Sequence, residues 1–184
     1  VAKSLNMGIL TEAISEEEIN RAIELGAEVI GINNRDLRDL KIDLNRTREL
    51  APLVPKDRVV ICESGIYHHA QVKELAHYAN GFLVGSSLME ETDLDMACRK
   101  LILGQNKVCG LTRAEDAKAS YAAGAVFGGL IFVEGSPRHV SVARARAITE
   151  AAPLNFVGVF RNESKEMIQS LVETLQLSAA QLHG

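Results

Sequence analysis

Residues 7–33 read MGILTEAISEEEINRAIELGAEVIGIN, and this stretch decides the fold. It opens on a short apolar run from Met7 (MGILTE) and closes on another from Glu28 (EVIGIN). Short runs with little interior charge are what parallel strands look like when both faces are covered. Between them Ile19, Ala22, Ile23 and Leu25 recur at helical spacing, which predicts a helix over Glu17–Leu25. Ser15-Glu16-Glu17-Glu18 has the form of a capping box, the hydroxyl serving one orphan amide and the last Glu another. Gly26 stands where a left-handed C-cap is wanted, followed by Ala27 and the second strand. Strand, capped helix and strand with short links make a parallel βαβ unit.

The same grammar runs outward to the rest of the chain. Further apolar runs begin near Arg58 (RVVICES), Gly81 (GFLVGSS), Lys107 (KVCGLT), Val126 (VFGGLIF), Asn155 (NFVGVF) and Ala179 (AAQLHG). A second clear helix covers Lys165–Leu175, with Met167, Ile168, Leu171, Val172 and Leu175 apolar. Thr112-Arg113-Ala114-Glu115 predicts another capping box and Gly124 another C-cap. The interval pattern repeats. Strand starts are 21, 30 and 23 residues apart, then 26, then 19, 29 and 24. The segment around Ser15–Gly26 also resembles Thr112–Gly124. The division that follows is two sets of four βα units joined near Leu103–Asn106, with boundaries at 1–104 and 105–184. Eight such units are those of a (β/α)8 TIM-barrel fold, although 184 residues is short against the ~250 such barrels usually need. The rival, a doubly wound sheet, announces itself by GxGxxG after its first strand, and no such motif stands here.

Composition excludes several function classes. With 47% hydrophobic and 24% charged residues the chain reads as globular. Its 20 Lys and Arg against 24 Asp and Glu, net −4, argue against binding nucleic acid by phosphate neutralisation. The longest uncharged stretch, Ala119–Val133, is broken by glycines and too short for a membrane span. No basic-then-apolar leader opens the chain. Cys62, Cys98 and Cys109 are odd in number and far apart, against a disulfide framework or a zinc site. The expectation is a reduced, cytoplasmic protein with no membrane or nucleic-acid partner. Val1 in place of Met, and an ending on Gln181-Leu182-His183-Gly184 without a closing helix, lead us to expect a piece of a longer chain.

Barrel chemistry sits at the carboxyl ends of strands. Those ends carry Glu12, Asn33-Asn34-Arg35-Asp36, Glu63-Ser64-Gly65 and Gly85-Ser86-Ser87, then Cys109-Gly110 with Thr112, Glu134–Arg138, Arg161-Asn162 and His183-Gly184. Gly85-Ser86-Ser87 has the make-up of a phosphate cradle, since glycine lets backbone amides approach an anion. Glu63-Ser64-Gly65 supplies the facing loop. Each motif alone is equally well an ordinary turn. On the residues alone Cys109 reads first as a small buried hydrophobe and second as a reactive thiolate; Cys62 and Cys98 stay with the first reading. Arg35 and Arg138 lie just past strands, where guanidinium recognises carboxylate or phosphate, or simply pairs at the surface. Arg46, Arg48, Arg144 and Arg146 fall on helices and read as solvated faces. His68, His69 and His77 sit on a predicted helix without HExxH spacing, His139 is expected to be exposed, and His183 ends a strand.

Together these motifs carry a resemblance. LTE (Leu10–Glu12), GINNRDL (Gly31–Leu37), ESGI (Glu63–Ile66) and GFLVGSSLM (Gly81–Met89) resemble the last four βα units of indole-3-glycerol-phosphate synthase. KVCGLT (Lys107–Thr112), Ser136-Pro137-Arg138, VGVF (Val157–Phe160) and QLHG (Gln181–Gly184) resemble the first four units of phosphoribosylanthranilate isomerase. The order resembles the bifunctional tryptophan-biosynthesis enzymes of bacteria. The resemblance implies that Glu12 and Asn33 are catalytic, that Arg35, Glu63 and Ser64 bind substrate, and that Gly65, Gly85 and Ser86 hold phosphate. On the isomerase side it makes Cys109 the general base and Arg138 the carboxylate anchor, which reverses the reading of Cys109 from the residues alone. The implied ligands are small phosphorylated anthranilate sugars. No cofactor or metal is implied.

The implied reactions are an Amadori rearrangement of phosphoribosylanthranilate and a decarboxylative, dehydrating closure of the indole ring, both by acid–base catalysis. The synthase's lysines and a further glutamate are expected upstream, and the isomerase's aspartate and phosphate loops downstream, so the chain by itself is expected to be inactive. Two alternatives stand beside this. A permuted hybrid barrel would bind a sugar phosphate without catalysis, Asn33 being unable to donate a carboxyl proton. A non-catalytic scaffold would expose strand edges to a partner.

Overall fold

A computed structural model describes residues 1–183; Gly184, read above as part of the last strand-end motif, lies outside the described residues. All eight expected strands form. In the first half, β1 (Leu10–Ala13), β2 (Val29–Asn33), β3 (Val59–Glu63) and β4 (Gly81–Leu83) pair in parallel in chain order. In the second, β5 (Lys107–Cys109), β6 (Phe127–Ile131), β7 (Asn155–Arg161) and β8 (Ala179–His183) do the same. Strands that follow one another without a reversal of order exclude the doubly wound sheet. The chain folds as two consecutive sets of four βα units, the repeat from which a (β/α)8 barrel is built. It divides into two compact units between Ile102 and Leu103.

The helices are α1 (Glu16–Glu24), α2 (Asn45–Leu50), α3 (His69–Leu75), α4 (Ser86–Met89), α5 (Leu94–Leu103), α6 (Ala114–Ala122), α7 (Val142–Thr149) and α8 (Lys165–Leu175). Their apolar sides bury one face of each sheet. In the first half Ile19 and Ala22 of α1 and Leu75 of α3 pack with Ile30, Ile32, Val60 and Cys62. In the second, Ala117, Ile148, Leu171 and Leu175 pack with Leu130, Phe156 and Phe160, and Phe132 stacks on Phe160 at 5.3 Å between ring centres. Because side chains alternate along a strand, Gly31, Asn33 and Glu63 fall on the face away from the helices. Among the described residues no helix is long and apolar enough to cross a membrane.

Local differences from the sequence reading have physical causes. β1 starts at Leu10 rather than Met7, because Lys3–Leu5 form a 3-10 turn ending in Asn6 at φ 55°. At α1, Ser15 Oγ accepts from the Glu18 amide at 3.3 Å, but the Glu18 carboxylate takes the Ile14 amide, one residue earlier than a capping box requires. The box expected at Thr112–Glu115 does not form. Arg113 is the N-cap of α6, without a side-chain cap bond. Asp116 does the work instead, its carboxyl held below its usual range by the Arg113 guanidinium and then by the amides of Thr112 and Arg113. His68 precedes α3, where Gln71 accepts from the amides of Tyr67 and His68, and His77 lies beyond that helix's end.

Candidate functional site

Pairing sets the first site. Glu12 sits opposite Gly31, and Asn33 opposite Glu63, so three strand ends present polar groups to one face. Asn33 Nδ2 donates to Glu12 Oε2 at 3.2 Å. Glu63 is only 2% exposed, and its Oε1 has no partner among the described residues. Burial first, and the charge of Glu12 second, push the Glu63 carboxyl up to about 7. Gly31 makes this placement possible: a Cβ there would overlap Glu63 Oε1.

Beside these groups lies a cleft of about 380 Å³ lined by Arg35, Glu63, Ser64, Gly65, Gly85 and Ser86, among others. Ser64 and Gly65 both have left-handed backbone, φ 64° and 78°. The opposite wall is fastened by Ser87 Oγ, which donates to the Ile66 carbonyl at 2.6 Å. Arg35 is half-buried, its amide donating to Asn33 Oδ1 at 3.0 Å. The fold thus gathers six of the residues singled out in this half around one cleft, with Glu12 and Asn33 on the adjoining strand ends. Two further residues depart from the sequence expectations. Arg46, expected on a solvated face, instead turns inward and donates to the Asn33 carbonyl at 3.0 Å. Asn34, quoted in the strand-end motif without a role, is fully buried; the doubled asparagine was the available signal.

The second half carries a different set. Cys109 is exposed, with Lys107 Nζ 3.7 Å from its Sγ. Lys107 also reaches Gln181 on β8, whose Nε2 lies 2.9 Å from His183 Nε2. β5 and β8 are the outer strands of the sheet, so this contact requires the sheet to curl with its helix-free face concave. Arg138 Nη1 donates to the Cys109 carbonyl at 3.3 Å. A Cβ on Gly129 would lie 2.7 Å from Cys109 Sγ. Cys62, by contrast, is buried between Asn34 and Thr47, and burial pushes its thiol up. His139 is exposed, as expected. Among the described residues no three His, Cys, Asp or Glu side chains gather where a metal ion could be held.

The model of the indole-3-glycerol phosphate synthase family matches residues 1–101, more than half of the chain. The chain belongs to that family. The model of N-(5'-phosphoribosyl)anthranilate isomerase matches residues 106–184. The tryptophan biosynthesis protein TrpCF of Yersinia pestis is 62% identical over the whole of this chain, which covers 39% of that relative. TrpCF of Helicobacter pylori strain 26695 is 57% identical over the whole chain, covering 41% of its length. The chain therefore spans about two-fifths of the length of the curated relatives it matches. Among solved structures, phosphoribosylanthranilate isomerase from Thermotoga maritima is 42% identical over 44% of this chain and 41% of its own, with a TM-score of 0.42.

Proposed function

We propose that this chain supplies half of each of two active sites in tryptophan biosynthesis, indole ring closure from its first half and Amadori isomerisation from its second. The observation that carries the reading is the meeting of Glu12, Asn33 and Glu63 beside the cleft formed by Ser64, Gly65, Gly85 and Ser86. A carboxyl that exchanges its proton near pH 7 suits acid–base catalysis there. Asn33 orients the Glu12 carboxylate. Arg35 presents its guanidinium to the anthranilate carboxylate, while the loops at Gly65 and Gly85-Ser86 offer backbone amides to the sugar phosphate. In the second half Cys109 removes the proton from the sugar carbon and Arg138, fastened to the Cys109 carbonyl, anchors the carboxylate. Ligands are phosphorylated anthranilate sugars, and the setting is the cytoplasm, where free thiols persist.

The test separates the halves within the full-length enzyme. Glu12→Gln should lower ring closure about 10²–10⁴-fold and leave isomerisation unchanged, while Cys109→Ala should do the reverse. Loss of both activities in either variant, or of neither, would sink the assignment. The isolated 184-residue chain should turn over neither substrate, because each acid–base set lacks members; measurable turnover would contradict this.

A further inference from the structure

Asn34 makes more bonds than any other side chain around the cleft, yet it does not line it. It follows β2 directly after Asn33 but points to the opposite face, where it is fully buried. Its backbone amide donates to the Glu63 carbonyl at 2.9 Å, and its own carbonyl accepts from the Asp43 amide at 2.9 Å. The carboxamide Nδ2 lies 2.9 Å from the Glu63 carbonyl, 3.2 Å from the Ser64 carbonyl and 3.3 Å from Cys62 Sγ. Oδ1 accepts from the Thr47 amide at 3.2 Å and from Thr47 Oγ1 at 2.8 Å. A primary amide offers two N–H donors and one acceptor oxygen, and here both sides are fully engaged. A buried network this well satisfied admits one arrangement of its members.

Both carbonyls that Asn34 Nδ2 reaches, those of Glu63 and Ser64, belong to residues that line the cleft. Ser64 holds φ 64°, a conformation disfavoured for any residue with a Cβ and kept only where the surroundings over-determine it. The Asn34 bond to the Ser64 carbonyl is such a determinant. All peptides here are trans, so a carbonyl and the next N–H point opposite ways. Drawing the Ser64 carbonyl toward Asn34 therefore turns the Gly65 N–H away from it, and Gly65 lines the cleft. Among the described residues that N–H has no hydrogen-bond acceptor. Gly65 has no room to vary either, since a Cβ would overlap Ile42.

We propose that Asn34 is a positioning residue for anion binding, fixing the Ser64–Gly65 peptide so that the Gly65 amide meets a phosphate monoester, with Thr47 locking the Asn34 carboxamide in place. This rests on reading the cleft as the phosphate site. Asn34 touches no ligand and acts only through the loop.

Inorganic phosphate, titrated into the isotope-labelled chain while the Gly65, Ile66 and Gly85 amides are followed by NMR, is the probe. Asn34→Asp replaces two donors by acceptors facing carbonyls and should weaken phosphate about tenfold or more. Thr47→Val leaves the carboxamide unlocked and should weaken it about threefold, while Thr47→Ser restores the hydroxyl and should bind within about twofold of the parent. Ile19→Val, a destabilising change in α1 remote from the cleft, measures what lost stability alone does and should leave phosphate affinity unchanged. If Asn34→Asp does not fold, Thr47→Val decides: weakened binding with rescue by Thr47→Ser supports the proposal, and unchanged binding overturns it. Equal affinity in all folded variants overturns the role of Asn34 while the phosphate reading stands. A parent chain whose cleft amides ignore phosphate overturns both.

Discussion

The two halves solve one packing problem in two ways. Each places a glycine third in its second strand, Gly31 in β2 and Gly129 in β6, on the helix-free face. A neighbouring side chain fills the space left. Over Gly31 it is the Glu63 carboxyl, reaching back from the following strand; over Gly129 it is the Cys109 thiol, from the preceding strand and directly paired in register. Repeated topology thus sets where a vacancy falls, and the residue types beside it set the chemistry that enters. One half ends with a buried carboxyl next to the cleft lined by Ser64, Gly65, Gly85 and Ser86, the other with an exposed thiol flanked by Lys107.

The largest contrast to test is thiol access. Iodoacetamide should label Cys109 in the native chain at least about a hundredfold faster than Cys62, which reacts only through opening of the core. Mass spectrometry of timed samples reads this out, and comparable rates would mean that the Asn34–Thr47–Cys62 network is not closed. The glycines come next. At Gly129 an added Cβ also lies 3.0 Å from the Cys109 Cα, a backbone atom that cannot swing aside. Gly129→Ala should therefore cost about 1–3 kcal/mol in urea unfolding. Gly31→Ala meets the end of a flexible side chain and should cost less than about 1 kcal/mol, while expelling the Glu63 carboxyl to water. Equal costs would break the comparison.

Titration gives a smaller effect with a defined sign. Glu63 binds its proton more tightly folded than unfolded, so its contribution to stability is complete below the ordinary glutamate value of 4.5 and is lost as pH rises through about 7. Glu63→Gln should be more stable than the parent at pH 8, by on the order of 1 kcal/mol after screening by solvent around Glu12. The gap should close toward pH 4 in paired urea melts. A gap that widens toward acid would show that Glu63 is instead held ionised. The smallest contrast lies in the corresponding caps of α1 and α6. Ser15→Ala should cost about 0.5–1 kcal/mol, and Thr112→Ala within about 0.3 kcal/mol, since only Ser15 accepts a cap bond.

The site is legible in the sequence at its strand ends and obscure one residue to either side. Glu63, Ser64, Gly65, Gly85 and Ser86 stand out because polar and glycine residues interrupt apolar runs. Asn34 does not, because alternation alone sends every second residue to the helix side, where a polar group looks like an error until Thr47 and the β3 carbonyls are seen around it. Arg46 is obscure for a similar reason. A six-residue helix has too few turns for its periodicity to show which face turns inward. Thr112 misleads because the cap of α6 is chosen by which acid reaches the free amides, and Asp116 reaches them where Glu115 does not.

The sequence by itself determined the alternation of strand and helix, the near-repeat of its two halves and the polar groups that end each strand. Periodicity, turn-forming glycines and cap hydroxyls act over a few residues and need no fold to be read. Only the tertiary structure decided which of those groups meet. Glu63 lies over Gly31, Asn34 grips the Ser64 carbonyl from another strand, and Lys107 reaches Gln181, 74 residues away. Register and the curl of the sheets set these distances; register follows from burying one face against the helices and curl from the twist of the strands, sums of many weak contacts that no single motif encodes.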